Sequence, residues 1–154
     1  MSAKRDRAEA YFLAGYNCAQ SVALAFCEET GLTESAAAKL MSSFGGGFGG
    51  MREVCGAFSG LCAVVGILTG YDDPEAREQK AAQYADIQAL AAAFTEQNES
   101  LLCGNLLESA AVTPAAVPAP RTPAYYATRP CAKFVGDAAE LAEAFLREHG
   151  VPVL

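Results

Sequence analysis

A chain of 154 residues, 52% apolar and 19% charged, is long enough for one domain to bury its own core without disulfides or metals as staples, and too apolar to be disordered. The formal net charge of -7 repels nucleic-acid phosphates and anionic lipid, so neither is expected as a partner. Abundant alanine with sparse valine and isoleucine favours helix over strand, and six cysteines are too few for a disulfide scaffold.

The first residues, MSAKRDRAEAYFLAGYN, mix basic and acidic side chains and contain no long apolar run, so a secretory signal is not expected and a cytoplasmic location is. Ala3 to Gly15 reads as a first helix, with Tyr11, Phe12 and Leu13 at its apolar end. Asn17 is a natural N-cap for a second, CAQSVALAFCEETG, closed by Gly31. Thr33 opens a third, short helix through Ala36 to Met41. The glycine run that follows breaks structure until Met51, where a fourth helix is expected to begin and to continue to about Thr69. Its apolar stretch, Val54 to Leu68, falls short of the roughly 20 residues a bilayer span needs, which makes it a buried core helix with no membrane span. Gly56 and Gly60 on it form a G-x-x-x-G suited to close helix packing.

Pro74 stands near the first position of a fifth helix, Glu75 to Thr95. NESLLCGNLLES reads as a brief sixth. Five of the seven prolines fall between Thr113 and Cys131, so residues 113–130 read as an extended connector. A last helix starts at Pro130 or Asp137 and runs to Glu148, before Gly150. No stretch alternates as a strand does. The expected class is all-α, an antiparallel bundle of six to seven helices in a single domain, 1–154.

The stretch SSFGGGFGGMREVCGAFSG, residues 42–60, holds seven glycines and one thiol. No Lys follows as in a Walker loop, and no strand precedes as in a dinucleotide fold, so a phosphate site is not the favoured reading. Glycines at 45, 46, 47, 49 and 50 permit positive φ and let the backbone pass close to something bulky, either a neighbouring helix or a cofactor. His149 is the only histidine and sits at a helix end, which argues against Ser-His-Asp catalysis and histidine-rich zinc sites. There is no C-x-x-C.

The thiols carry the chemistry. Cys18 follows the N-cap Asn17, Cys55 follows the glycine run, Cys103 follows NES, and Cys131 follows Pro130. Each falls in the first or second turn of an expected helix, where free N–H groups and the helix dipole stabilise a thiolate. Thiolates are what metal ligation and thiol redox chemistry both require. Cys27 and Cys62 lie among apolar residues, and a free cysteine there behaves as a small hydrophobe.

NCAQSV in an N-terminal helix, FGGGFG, CGAFSG, a lone cysteine after LL and a final cysteine before a C-terminal helix together resemble the C-GCAxxG-C-C family of redox-active proteins, over about Tyr16 to Leu146. The central box reads Cys55-Gly56-Ala57-Phe58-Ser59-Gly60. The resemblance implies four marked cysteines, Cys18, Cys55, Cys103 and Cys131, with Cys27 and Cys62 outside the pattern. Some members look like selenoproteins, which implies redox use of at least one position. A related domain joined to a multihaem cytochrome binds an iron–sulfur centre.

Three functions are therefore weighed. The first is electron transfer or redox sensing with an iron–sulfur cluster, [2Fe–2S], on the four marked cysteines, with the backbone at Gly46, Gly47, Gly49, Gly50 and Gly56 approaching the cofactor. The second is a metal-free thiol–disulfide oxidoreductase with Cys55 as an accessible nucleophile. The third is a structural zinc site with four cysteine ligands, disfavoured by the dispersed spacing. A redox partner protein is expected, and a homodimer would suit the exposed glycine and apolar surfaces.

Overall fold

The computed structural model describes residues 2–107 and 117–154. It is all-α: helices α1 (Ala3–Leu13), α2 (Cys18–Ala25), α3 (Cys27–Thr30), α4 (Glu34–Met41), α5 (Gly56–Thr69), α6 (Arg77–Asn98), α7 (Cys103–Leu106), α8 (Pro123–Thr128) and α9 (Cys131–Glu148). Among the described residues the extended backbone makes only an isolated antiparallel bridge, between Val54 and Leu102. No helix among them is long and apolar enough to cross a membrane.

Local chemistry sets most of the starts. Ser2, Thr33 and Thr122 each accept from the backbone N–H three residues on, as N-caps do. Asn17 and Gln20 form a full capping box, with Asn17 Oδ1 accepting from Gln20 N at 2.8 Å and Gln20 Oε1 from Asn17 N at 3.0 Å. Gly31 ends α3 in the left-handed conformation.

Four boundaries differ from expectation. The second helix breaks at Phe26 (φ -112°, ψ 18°), which divides it into α2 and the single turn α3. The helix expected from Met51 starts at Gly56, because Phe48, Gly49, Gly50 and Arg52 all hold positive φ and Val54 is drawn into the bridge with Leu102. The fifth begins at Arg77 and reaches Asn98. Within 113–130, Pro123 sits at the first turn of α8 instead of in an extended linker, its fixed φ being preset for helix; residues 113–116 lie outside the described residues.

The core is small-residue packing around α2. Ala8, Ala19, Ala25, Ala57, Ala138, Ala139 and Ala142 have no exposed surface, and Phe12, Val22, Phe26, Leu61, Phe94 and Val135 fill the spaces between. A Cβ at Gly60 would lie 2.7 Å from the Ala19 carbonyl oxygen, so α5 approaches α2 as closely as backbones allow. Two ion-pair groups fix α1. Lys4 is fully buried, and its ammonium donates to Glu29 at 2.8 Å and to the Ala25 carbonyl at 2.9 Å. Breaking such a pair costs about 3–5 kcal/mol, since one charge is left buried alone. Arg5 joins α1 to α9 through Asp137 and Glu140. With α1 and α9 so clamped, the N-terminus of α9 is held beside that of α2.

Candidate functional site

Each of the four marked cysteines stands at the start of a helix. Cys18 is the first residue of α2, Cys103 of α7 and Cys131 of α9, and Cys55 is the N-cap of α5. The fold brings these four helix starts together, and it does so in two different ways.

Backbone pairing joins Cys55 to Cys103. The Cys55 N–H donates to the Leu101 carbonyl at 2.7 Å, the Cys103 N–H to the Glu53 carbonyl at 2.6 Å, and the Gly104 N–H to the Arg52 carbonyl at 3.0 Å. The turn that allows this is glycine-dependent. Gly47 has φ +69°, and a Cβ there would sit 2.6 Å from the Glu53 nitrogen and 2.7 Å from the Cys103 Cβ. Cys55 is 4% exposed, and burial pushes its thiol up to about 12 against the pull of the Ala57 and Phe58 N–H groups aimed at its sulfur. Burial also raises the Cys103 thiol, while the Arg52 guanidinium, with Nη1 3.8 Å from the sulfur, acts in the opposite direction.

Side chains bring Cys18 and Cys131 together: both line the same cavity, close enough for each to shift the other's ionisation. The neighbouring Cys18, with Arg129, Arg121 and Arg52, holds the Cys131 thiol below its usual value, while Cys131 and burial raise the Cys18 thiol well above its own. Gly56 allows the approach from beneath: its missing Cβ would lie 3.2 Å from the Cys18 Cβ and 2.9 Å from the Phe44 carbonyl oxygen.

Cys18, Cys103 and Cys131 line one cavity of about 230 Å³, together with Gly45, Gly46, Gly49, Gly50, Arg52, Arg121, Tyr125 and Arg129. A single water needs only about 10–15 Å³ of such space, so this is room for a multi-atom group. Cys55 lies behind the cavity wall. Of the glycines expected near a cofactor, Gly46, Gly49 and Gly50 face the cavity, whereas Gly47 and Gly56 are packed against Cys103 and Cys18. The accessibility expected of Cys55 is not found, because its backbone pairs with Leu101 and its side chain is buried in the core.

Among the described residues, no three of His, Cys, Asp or Glu come together as ligands of one metal ion. Cys27 and Cys62 stand apart from the site. Cys27 lines an open groove with Tyr11 and Glu34, and Cys62 is half-buried within α5.

Residues 16–145 match the protein family described as "putative redox-active protein (C_GCAxxG_C_C)". The chain belongs to this family. No curated protein and no solved structure matches the chain. All six cysteines lie within the family match, yet only Cys18, Cys55, Cys103 and Cys131 meet at the site. Sequence reasoning missed Arg52, Arg121, Tyr125 and Arg129. A signal existed: in an acidic chain, Arg52 precedes Cys55 by three residues and Arg129 precedes Cys131 by two.

Proposed function

We propose that this redox-family protein holds an iron–sulfur cluster of the [2Fe–2S] type on Cys18, Cys55, Cys103 and Cys131, and serves electron transfer or redox sensing. The carrying observation is that three helix-start thiols, Cys18, Cys103 and Cys131, line one arginine-walled cavity with Cys55 close by, and that among the described residues no three of them converge on a point. A structural zinc ion asks for four donors meeting tetrahedrally around it, whereas a cluster brings its own bridging sulfides and spans separated thiolates. When bound, the cluster supplies one-electron chemistry. The chain's own part is electrostatic: helix starts and the guanidinium groups of Arg52, Arg121 and Arg129 offset the charge of four thiolates. The Ala57 and Phe58 N–H groups are aimed at the Cys55 sulfur, and hydrogen bonds to a ligand sulfur raise the reduction potential. Protein purified without oxygen should be brown, contain iron and acid-labile sulfide in similar amounts, and bleach with dithionite. A colourless protein that takes up no iron on anaerobic reconstitution removes this reading.

A second reading has its own observation, that Cys18 and Cys131 line the same cavity and shift each other's ionisation. In a metal-free oxidoreductase this pair, and not Cys55, would cycle. The Cys131 thiolate attacks one sulfur of a partner disulfide and forms a mixed disulfide, expelling the other as a thiolate. The Cys18 sulfur, after losing its proton to solvent, then attacks the Cys131 sulfur. The Cys18–Cys131 bond forms, the second partner sulfur leaves, and the partner has gained two electrons. A Cys18–Cys131 disulfide peptide after mild oxidation, absent in Cys131→Ser, supports this reading over the first when no iron binds.

A further inference from the structure

The described wall of the cavity is basic. Among the described residues no Asp or Glu lines the cavity, which has Arg52, Arg121 and Arg129 in its wall. Elsewhere the basic groups are largely neutralised: Lys4, Arg5, Arg7, Lys133 and Arg147 all pair with carboxylates. Arg121 and Arg129 meet no carboxylate among the described residues. Both are held in place by Tyr125, whose ring centroid lies 4.9 Å from the Arg121 Cζ and 4.5 Å from the Arg129 Cζ. Arg121 is further pinned by donating to the Phe12 and Tyr16 carbonyls, each at 2.9 Å. The Arg129 side chain makes no hydrogen bond or ion pair among the described residues, so its fork of donors is uncommitted.

Collecting two like charges on one ring costs energy unless a negative group offsets it. Thiolates offset part, but the arginines extend the cavity beyond the sulfurs, and guanidinium forks match oxyanions in both charge and shape. We propose that this end of the cavity binds a small oxyanion, a carboxylate or a sulfur or phosphorus oxyanion, between Arg129, Arg121 and Cys131. Its role as a redox substrate or effector rests on the redox reading above; the binding itself does not.

The test uses iron-free protein, so that failure of the cluster reading leaves it intact. Iodoacetamide, which is neutral, labels Cys131 through the cavity, and sulfate is the probe. Sulfate at ten times its dissociation constant should slow labelling of Cys131 about tenfold by occupancy, saturably, and raise the melting temperature. Sodium chloride at matched ionic strength should do neither. Arg129→Gln should lose both effects, Arg129→Lys should weaken them, and Arg77→Gln on the exposed start of α6 should keep them, with circular dichroism checking the fold of each. Equal protection by chloride, or protection undiminished in both Arg129 variants, overturns the proposal.

Discussion

The site is built from two unlike pairs of thiols. Cys55 and Cys103 are held by main chain: two short hydrogen bonds and a bridge fix their relative position, and their side chains follow. Cys18 and Cys131 are placed by side chains: they share one cavity wall with arginines stacked on Tyr125. A backbone-built pair is rigid and intolerant of added atoms. A side-chain-built pair is adjustable in charge and protonation. The first thus supplies geometry and the second supplies reactivity.

The largest expected effect comes from breaking the rigid pair. Gly47→Val adds a Cβ inside 2.7 Å of two neighbours at a φ of +69°. Overpacking of that kind costs about 1–3 kcal/mol and the strained φ adds about 1–3 more. Gly49→Val has the same backbone objection, φ +59°, but its Cβ would meet nothing nearer than the Ser43 carbonyl at 3.9 Å. Melting curves should therefore fall further for Gly47→Val than for Gly49→Val, and iron content after reconstitution should be lost only in the former. Equal losses would mean that φ alone matters and the Cys103 contact does not.

Reactivity sharpens the comparison from the other side. In iron-free protein near pH 7, Cys131 should be alkylated first, since it faces the cavity and its thiol is held low by Cys18 and the arginines. Cys55, buried and pushed up to about 12, should be last. Mass-spectrometric labelling against time measures the order. Arg129→Gln should slow Cys131 more than Cys103, because Cys103 answers to Arg52 before Arg129. Faster labelling of Cys55 than of Cys131 would restore Cys55 as the nucleophile and undo the division into geometry and reactivity.

Outside both pairs, Cys62 provides a pH signature. Burial pushes its thiol up to about 11 from an ordinary value of 9.0. A raised acid keeps its proton in the folded state after the unfolded chain has lost it. Its stabilisation is therefore complete below about pH 9 and is lost as pH rises through about 11. Between about pH 8 and 11, the urea midpoint of Cys62→Ser should drop less than that of the parent, by the equivalent of about 2 kcal/mol. Identical drops would show that Cys62 is hydrated in the folded state.

Much of the site was legible because helix starts are written locally. Asn17 before Cys18 announces its position through capping chemistry that needs no tertiary context, whereas Pro130 stands one position before the first turn of α9 that proline favours. The all-α class followed from composition for the same reason. Cys55 shows the limit. The glycine run ends at Met51, which is where the sequence places the helix start. The actual start at Gly56 depends on a bridge to Leu102, nearly fifty residues away, which no local pattern records. The proline-rich segment misled in a similar way: Pro123 begins α8, and Tyr125 on that helix organises the arginines. The charge of the cavity was hidden most deeply, since a net of -7 says nothing about where three arginines meet.

The smallest expected effect tests whether the family's four cysteines are sufficient. Cys27 also begins a helix, but α3 is a single turn with no side-chain cap, so its dipole is slight. Its sulfur donates weakly to the Ala23 carbonyl at 3.9 Å, and burial, with Glu34 beside it, raises the thiol away from the thiolate range. Position at a helix start is therefore not enough. What separates Cys27 from Cys18 is the neighbour: a carboxylate in one case, a second thiol beneath three arginines in the other. Cys27→Ala should leave the visible spectrum and Cys131 labelling unchanged and cost less than about 1 kcal/mol in urea unfolding, as loss of one partly exposed sulfur implies. A bleached spectrum in this variant would extend the site to the far side of α2, where the open groove lined by Tyr11 and Glu34 would have to be part of it.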